Sequence, residues 1–304
     1  MKALITGSRG FVGRYLLDEL ITNGYTTFGI DIISDEHATI VNLLDRTAVK
    51  NYIKTVQPDV VFHLAAQAAI PYSWKEPQET FEFNIIGAIN LLEAVRDEKP
   101  TCKVLIVGSA DQYGATGSIE FISEDVPLTP RNPYAVSKKA QEEFTLVYSK
   151  ANDLGVYLTR SFNHCGPGQK LGFLIPDICH GIVQVERGVS PYLKIGNMEA
   201  VRDFTDVRDI VKAYRLIYEK GISGEIYNVG SGHGRKAQEI LDRLLYMAVE
   251  VIPVTPDKER MRVSDTPVVI CDNSKLQKHT GWVPIIPLEQ TLKETLEYFR
   301  ELDN

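Results

Sequence analysis

Nothing in this 304-residue chain approaches the roughly 20 consecutive apolar residues that a membrane-crossing helix requires. Positive charge is in deficit as well. Its 33 Lys and Arg against 40 Asp and Glu give a formal charge of −7, which argues against nucleic acid or an anionic membrane as the main partner. Cysteine is scarce: Cys102, Cys165, Cys179 and Cys271 stand far apart, with no CxxC pair and no histidine at ligand spacing. No metal site is therefore expected, and the four read as reduced packing residues of a cytoplasmic protein. There is no repeat, low-complexity tract or block of like charge. The N-terminus, MKALITG, runs from the initiator methionine straight into a strand and a glycine turn, so no signal peptide is expected.

What is present is enough length for a large core, expected as one unit of two lobes, and a regular alternation. KALIT, YTTFGI, VVFHLA, KVLIVG and VYLTRS are short, almost continuously apolar runs. Between them lie helical patterns over residues 11–22, 45–56, 79–97 and 134–150, the second opened by Asp45 and closed before Pro58. Repeated βα units with apolar strands predict a doubly wound α/β fold, a parallel Rossmann sheet covered on both faces. After Ser161 the rhythm loosens through CGPGQ. The helix VRDIVKAYRLIYEKG, with Asp206 as N-cap, and the strand EIYNVG are expected to return to that sheet. The expected division is a dinucleotide-binding domain over 1–165 with 204–230, and a smaller α/β substrate lobe over 166–203 and 231–304. The lobe would cover the strand ends, where open sheets bind ligands.

Residues 7–13, GSRGFVG, set glycines at GxxGxxG spacing between the first strand and the first helix. There Gly7 permits the tight turn, Gly10 lets backbone approach a pyrophosphate, and Gly13 allows close helix packing. The helix N-terminus then offers N–H groups to phosphate, with Arg9, Phe11 and Val12 completing the candidate loop. Asp31 ends the second strand 18 residues beyond Gly13. A carboxylate at that place accepts from the ribose hydroxyls of NAD and repels a 2′-phosphate, although it also reads as a turn-former. Arg9 pulls the other way, because a guanidinium suits that phosphate. The expected cofactor is NAD(P)H, with a lean toward NAD(H).

Tyr134 and Lys138, in NPYAVSKKA, are one helical turn apart, which sets an ammonium beside a phenol. A neighbouring cation favours phenolate and draws a pKa of about 10 downward. Such a tyrosine can pass a proton to or from a sugar oxygen while hydride moves at the same carbon. Upstream, GSADQYG follows KVLIV; read as extended chain, it puts Ser109, Asp111 and Tyr113 on one side. Ser109, Tyr134 and Lys138 form the candidate catalytic set, with Asp111 beside it.

GSRGFVG, HLAAQ at 63–67, Ser109 before YG, YxxxK and SFNHCGPGQ at 161–169 together resemble the extended short-chain dehydrogenases/reductases that act on nucleotide sugars. The resemblance covers essentially the whole chain. RNPYAVSK, FNHCGPGQ, GNMEAVRDFTDVRDI and HTGW are most similar to the branch that reduces GDP-4-keto-6-deoxy-D-mannose to GDP-D-rhamnose. It implies Ser109, Tyr134 and Lys138 as the triad, and Asn42, Leu43, Leu64, Ala65 and Ala66 beside the cofactor. It further implies Gln67, Asn163, Arg202 and Arg262 on the GDP-sugar, with the arginines on its diphosphate. A homodimer pairing the helices around residues 85 and 140 is also implied. The residues themselves leave more open. Arg202 has Asp203, Asp206 and Asp209 as ordinary ion-pair partners, Asn163 and His164 can cap a Pro/Gly turn, and His63 reads as a core histidine.

Dehydrating relatives carry a glutamate two positions after the triad Ser or Thr, where acid/base work on C5 and the departing 6-hydroxyl needs a reaching carboxylate. Here that position is Asp111, one methylene shorter, and its neighbours Ala110 and Gln112 cannot relay a proton. Misplacement by about 1 Å can cost roughly 100-fold in rate. A 4-ketoreductase needs no second acid: hydride reaches C4, Tyr134 protonates the alkoxide and Ser109 steadies the oxygen. The sequence therefore favours reduction. Dehydration, 4-epimerisation on bound NAD and a non-catalytic dinucleotide sensor are the alternatives, and the retained Tyr134 and Lys138 speak against the last.

Overall fold

The computed structural model describes residues 1–33, 38–114, 116–117, 119–257 and 267–302. Seven parallel strands form the main sheet, in the spatial order Ile226–Val229, Val156–Ser161, Lys103–Ser109, Val60–His63, Lys2–Thr6, Thr26–Asp31 and Thr39–Ile40. The order reverses between Val60–His63 and Lys2–Thr6, the switch point of a doubly wound Rossmann sheet. Side chains alternate across the sheet. Ala3 and Ile5 join one apolar core with Leu16, Leu20 and Tyr214, while Leu4 and Val61 join another with Ile53, Leu91 and Val104. Both faces are buried, which is why these strands read as continuous apolar runs.

The helices follow their sequence signals. Asp45 caps Arg46–Val56 by accepting from the Ala48 amide. Asn132 caps Pro133–Asn152 by accepting from the Ala135 amide, with Pro133 in the first helical position. Val207–Lys220, capped by Asp206, leads to the edge strand Ile226–Val229 beside Val156–Ser161.

Residues 79–97 depart from the single regular helix expected there. The chain is helical from Pro77 to Glu98 but passes through a π turn at Glu82–Ile86. Asn84 on this turn is fully buried, its side chain accepting from the Gln67 amide and donating to Ser137 Oγ. Its carbonyl accepts from Gln141 Nε2. A π turn breaks the ordinary helical ladder and so leaves a carbonyl for such a partner. A hydrophobic period carries no trace of one wider turn.

A second sheet orders Gly234–Lys236, Val201–Asp206, Val268–Cys271 and Phe121–Ile122, and Asn163–Cys165 also pairs with Val201–Asp206. Helices Leu174–Glu186, Ala237–Tyr246 and Leu288–Leu302 pack on it through Ile182, Ile240, Leu244, Leu292 and Leu296. Only Phe162 separates Val156–Ser161 in the main sheet from Asn163–Cys165 in the second, so one segment joins the two. The four cysteines are unpaired and buried, and no described helix is long and apolar enough to cross a membrane.

Candidate active site

After Thr6 the chain turns at Gly7 with φ +71°, and the Gly7 amide donates to the Ile30 carbonyl at 2.9 Å. Gly13 packs so closely on this turn that a Cβ there would lie 2.3 Å from the Gly7 carbonyl oxygen. Helix Phe11–Thr22, which follows Gly10, begins with no side-chain cap and no acidic residue in its first turn, so its amides are open to an anion. Ser8 Oγ is buried nearby with no hydrogen-bond partner among the described residues. A dinucleotide pyrophosphate fits this cradle.

Asp31 stands at the adjoining strand end, accepting from the Arg9 amide at 2.9 Å and the Ile32 amide at 2.7 Å. Loop and carboxylate therefore form one unit at the switch point. Across the turn, the Leu64 and Ala65 amides donate to the Thr6 carbonyl and hydroxyl, and Ala66 follows half-buried. Val12 packs on the core. Leu43 is buried with its carbonyl accepting from Asn90, and Asn42 accepts from the Leu44 amide within its own loop. His63 is fully buried and bonded through Nδ1 to Thr6 Oγ1 at 2.8 Å; its Nε2 has no partner among the described residues. Burial, reinforced by the Lys138 charge, pushes its pKa down to about 3, so the ring is neutral.

Ser109 closes the strand Lys103–Ser109 and hydrogen-bonds to Tyr134, which shares the helix Pro133–Asn152 with Lys138. The chain does not continue extended past Ser109. Ala110–Tyr113 is a turn of 3-10 helix, in which Ser109 Oγ accepts from the Asp111 amide at 3.2 Å and Gln112 Oε1 accepts from the Ser109 amide at 2.9 Å. This reciprocal cap rotates the three side chains apart. Asp111 is exposed and close enough to Tyr134 to act on its charge, while Tyr113 is buried and donates to Asn228 Oδ1 at 2.7 Å.

The expected pull of Lys138 on the phenol is not found. Lys138 is buried and donates to the Val107 carbonyl at 2.8 Å and to Gln141 Oε1 at 2.9 Å. Burial pushes its pKa down to about 7. Tyr134 is held above the usual phenol range by burial and then by the Asp111 carboxylate, with the Ser109 hydrogen bond working against both. Desolvation of the two groups outweighs any attraction between them.

Sequence reasoning missed a polar frame beneath this set. Glu142, two turns beyond Tyr134, accepts from Gln112 Nε2 at 3.0 Å and from Arg160 Nε and Nη2 at 2.9 and 2.7 Å. Arg160 also donates to the Tyr113 hydroxyl and the Glu124 carbonyl, both at 2.9 Å. Gln112, Glu142 and Arg160 are all buried, so the amide of Ser109 is tied to the Tyr134 helix and to the strand Val156–Ser161. The available signal was helical spacing: positions 134, 138 and 142 share one face.

The candidate substrate residues lie toward the second sheet or outside view. Gln67 donates to the Ala69 carbonyl in its own loop and to Thr80 Oγ1, both at 3.1 Å. Asn163 is exposed and in register with Phe204, and Arg202 is half-buried two residues before it. Arg262 lies outside the described residues. His164 stacks on Phe11, with ring centroids 6.2 Å apart, and Tyr15 donates to the Pro167 carbonyl at 2.9 Å. These contacts fasten the NHCGPG segment to the glycine loop.

A parallel Rossmann sheet with a glycine cradle at its switch point and Ser, Tyr and Lys gathered at the adjoining strand end defines an extended short-chain dehydrogenase/reductase, an NAD(P)-dependent enzyme. Within that class the chain belongs to the family described as GDP-mannose 4,6 dehydratase, which matches residues 4–295. It is similar to the GDP-6-deoxy-D-mannose reductase of Pseudomonas aeruginosa, at 32% identity over 297 residues, covering 97% of this chain and 96% of that protein. Among solved structures, RMD from Pseudomonas aeruginosa complexed with NADPH has a TM-score of 0.90 and 31% identity, with 99% of each chain covered. The UDP-glucose 4-epimerase of Thermus thermophilus in complex with NAD has a TM-score of 0.88 and 27% identity, again with 99% of each chain covered.

Proposed function

We propose that this protein is a nucleotide-sugar 4-ketoreductase, converting GDP-4-keto-6-deoxy-D-mannose to GDP-D-rhamnose with NAD(P)H. The observation that carries the reading is the setting of Asp111, exposed on a short capped turn and one methylene shorter than the dehydratase glutamate. Beside it, Ser109 and Tyr134 form a bonded hydroxyl pair, which suffices to protonate one oxygen and falls short of what water elimination demands. Similarity to a GDP-6-deoxy-D-mannose reductase supports the same reading.

When bound, the nicotinamide supplies hydride to C4. Tyr134, raised in pKa and so protonated at neutral pH, gives its proton to the oxygen at that carbon, and Ser109 steadies the same oxygen. Lys138, buried beneath, holds the nicotinamide ribose. Gly7, Gly10 and Gly13 with the first helix turn hold the pyrophosphate, and Asp31 holds the adenosine ribose. Because two backbone amides fix the Asp31 carboxylate in place, NAD(H) is favoured over NADP(H). Asn163, just before the lobe built from 166–203 and 231–304, and the arginines within that lobe contact the nucleotide sugar, with the arginines on its diphosphate. Ile86, Val136 and Val147, exposed on the helices around residues 85 and 140, suit pairing in a homodimer.

Dehydration of GDP-mannose is the second reading, favoured by the proximity of the Asp111 carboxylate to Tyr134. The test offers the purified protein GDP-4-keto-6-deoxymannose or GDP-mannose, each with NADH and with NADPH. Cofactor oxidation with the keto sugar alone supports reduction. A keto product from GDP-mannose without net cofactor use would replace it with dehydration.

A further inference from the structure

Gln141 lies on the buried face of helix Pro133–Asn152, about one turn beyond Lys138, where a side-chain amide is costly unless both its ends are bonded. Both are. Its Oε1 accepts from Lys138 Nζ at 2.9 Å, and its Nε2 donates to the Asn84 carbonyl at 2.8 Å. That carbonyl is available because the π turn at Glu82–Ile86 breaks the helical ladder. The turn is itself pinned. The Asn84 side chain accepts from the Gln67 amide and donates to the Gln67 carbonyl at 3.0 Å and to Ser137 Oγ at 2.9 Å. Ser137 Oγ donates onward to the Tyr134 carbonyl at 2.7 Å, so the brace behind Gln141 returns to the helix that carries Tyr134 and Lys138.

A lysine amine on its flexible four-carbon stem has no direction of its own. Here the Val107 carbonyl takes one of its hydrogens at 2.8 Å and Gln141 takes a second. With Cε and those two bonds set, the tetrahedral nitrogen has a single direction left. We propose that Gln141 is a positioning residue for Lys138, its braced amide fixing the amine so that this last direction serves the nicotinamide ribose. The inference rests on the role given to Lys138 in the reading above. An amide suits the task because it accepts without adding a counter-charge. A carboxylate there would raise the amine's pKa from the value of about 7 that burial gives it.

The test compares wild type, Gln141→Met and Gln141→Glu by calorimetric titration of NADH and of ADP, and by steady-state reduction of the keto sugar. Methionine keeps the length of the side chain and removes the acceptor. Gln141→Met is expected to weaken NADH binding about tenfold and ADP binding by no more than about twofold, since ADP lacks the second ribose. Its kcat at saturating NADH should fall about tenfold, with little change in the KM for the keto sugar. Gln141→Glu still offers the amine an oxygen but, when ionised, cannot donate to the Asn84 carbonyl, and it should recover most of the NADH affinity. Gln141→Ala, small enough to admit a water, serves if Gln141→Met does not fold and is read by the same NADH-to-ADP ratio. A purely structural tie between the π turn and the helix would change NADH and ADP affinity together, or neither, and glutamate would not rescue it. Either result overturns the assignment. Where wild type takes NADPH and not NADH, the pair becomes NADPH and 2′-phospho-ADP. A wild type that leaves the keto sugar unreduced sinks the ketoreductase reading alone, and the binding ratio still judges Gln141.

Discussion

The catalytic end of the candidate site and its phosphate end are made differently. Around Ser109 and Tyr134 the supporting groups Lys138, Gln141, Gln112, Glu142 and Arg160 are buried, each bonded to a named partner. Arg202 is half-buried, and the flanking strands Asn163–Cys165 and Gly234–Lys236 are three residues long. Proton and hydride transfer tolerate little misplacement, so that end is held by desolvated hydrogen bonds. Attraction between guanidinium and phosphate falls off slowly with distance, so the other end can select a ligand from a looser platform.

Substitutions at the two ends should therefore fail in different ways. Tyr134→Phe is expected to lower turnover by about 10²–10⁴-fold while cofactor affinity stays unchanged, read from NAD(P)H oxidation and from a direct titration. Unaltered turnover would remove Tyr134 from the chemistry. Glu142→Gln, which leaves Arg160 buried without its counter-charge, should cost about 3–5 kcal/mol in denaturant unfolding. It should also lower kcat about tenfold at a temperature where the variant is fully folded, with little change in KM, because a single neutral acceptor oxygen must then serve both Gln112 and Arg160, which weakens the tie from the Ser109 amide to the Tyr134 helix. Arg202→Gln should do the reverse, raising KM and sparing kcat. A Glu142→Gln enzyme that loses stability and keeps kcat would reduce the frame to scaffolding.

Lys138 tests how dry the catalytic end is. Its pKa of about 7 in the folded protein compares with about 10.4 in an unfolded chain. Between those values the unfolded chain binds a proton that the folded one does not. Stability without cofactor therefore rises with pH across that window and is lost as pH falls through about 7, by at most about 1.4 kcal/mol per unit. Lys138→Met should flatten this slope in urea unfolding compared at about pH 7.5 and about pH 9.5. Equal slopes in both proteins would mean the amine stays charged when buried. Arg202→Gln should leave the slope alone, since arginine does not titrate in this range.

The same contrast explains what could be read from the chain. The Rossmann half is legible because short stretches decide it: GSRGFVG makes its own turn, Asp45 and Asn132 cap the helices that follow them, and the strands are buried on both faces. What stayed hidden depends on partners distant in sequence. Gln112, Glu142 and Arg160 come from three separate elements, and Asn84 matters through a π turn that leaves no mark on the apolar period. Lys138 was expected to act on Tyr134 from helical spacing alone, yet its ammonium donates to the Val107 carbonyl on the neighbouring strand. Ser109-Ala110-Asp111-Gln112 is a different case. It matches the Ser-x-x-Gln capping box, a local signal that the extended reading passed over.

That turn sets up the smallest effect and the one that bears most on the choice of reaction. Asp111 is exposed, and its carboxylate raises the Tyr134 pKa without itself belonging to the buried frame. In a ketoreductase Asp111→Asn should change turnover by no more than about threefold, since one proton donor suffices. The limb of the pH–rate profile set by Tyr134 should nevertheless move to lower pH, because an anionic neighbour that opposed phenolate is gone and the proton leaves more readily. A profile that does not move would mean solvent screens the carboxylate from the phenol. A loss of about 100-fold would mean something else: the shorter acid is then placed to carry a proton of its own, and the site removes water from its substrate.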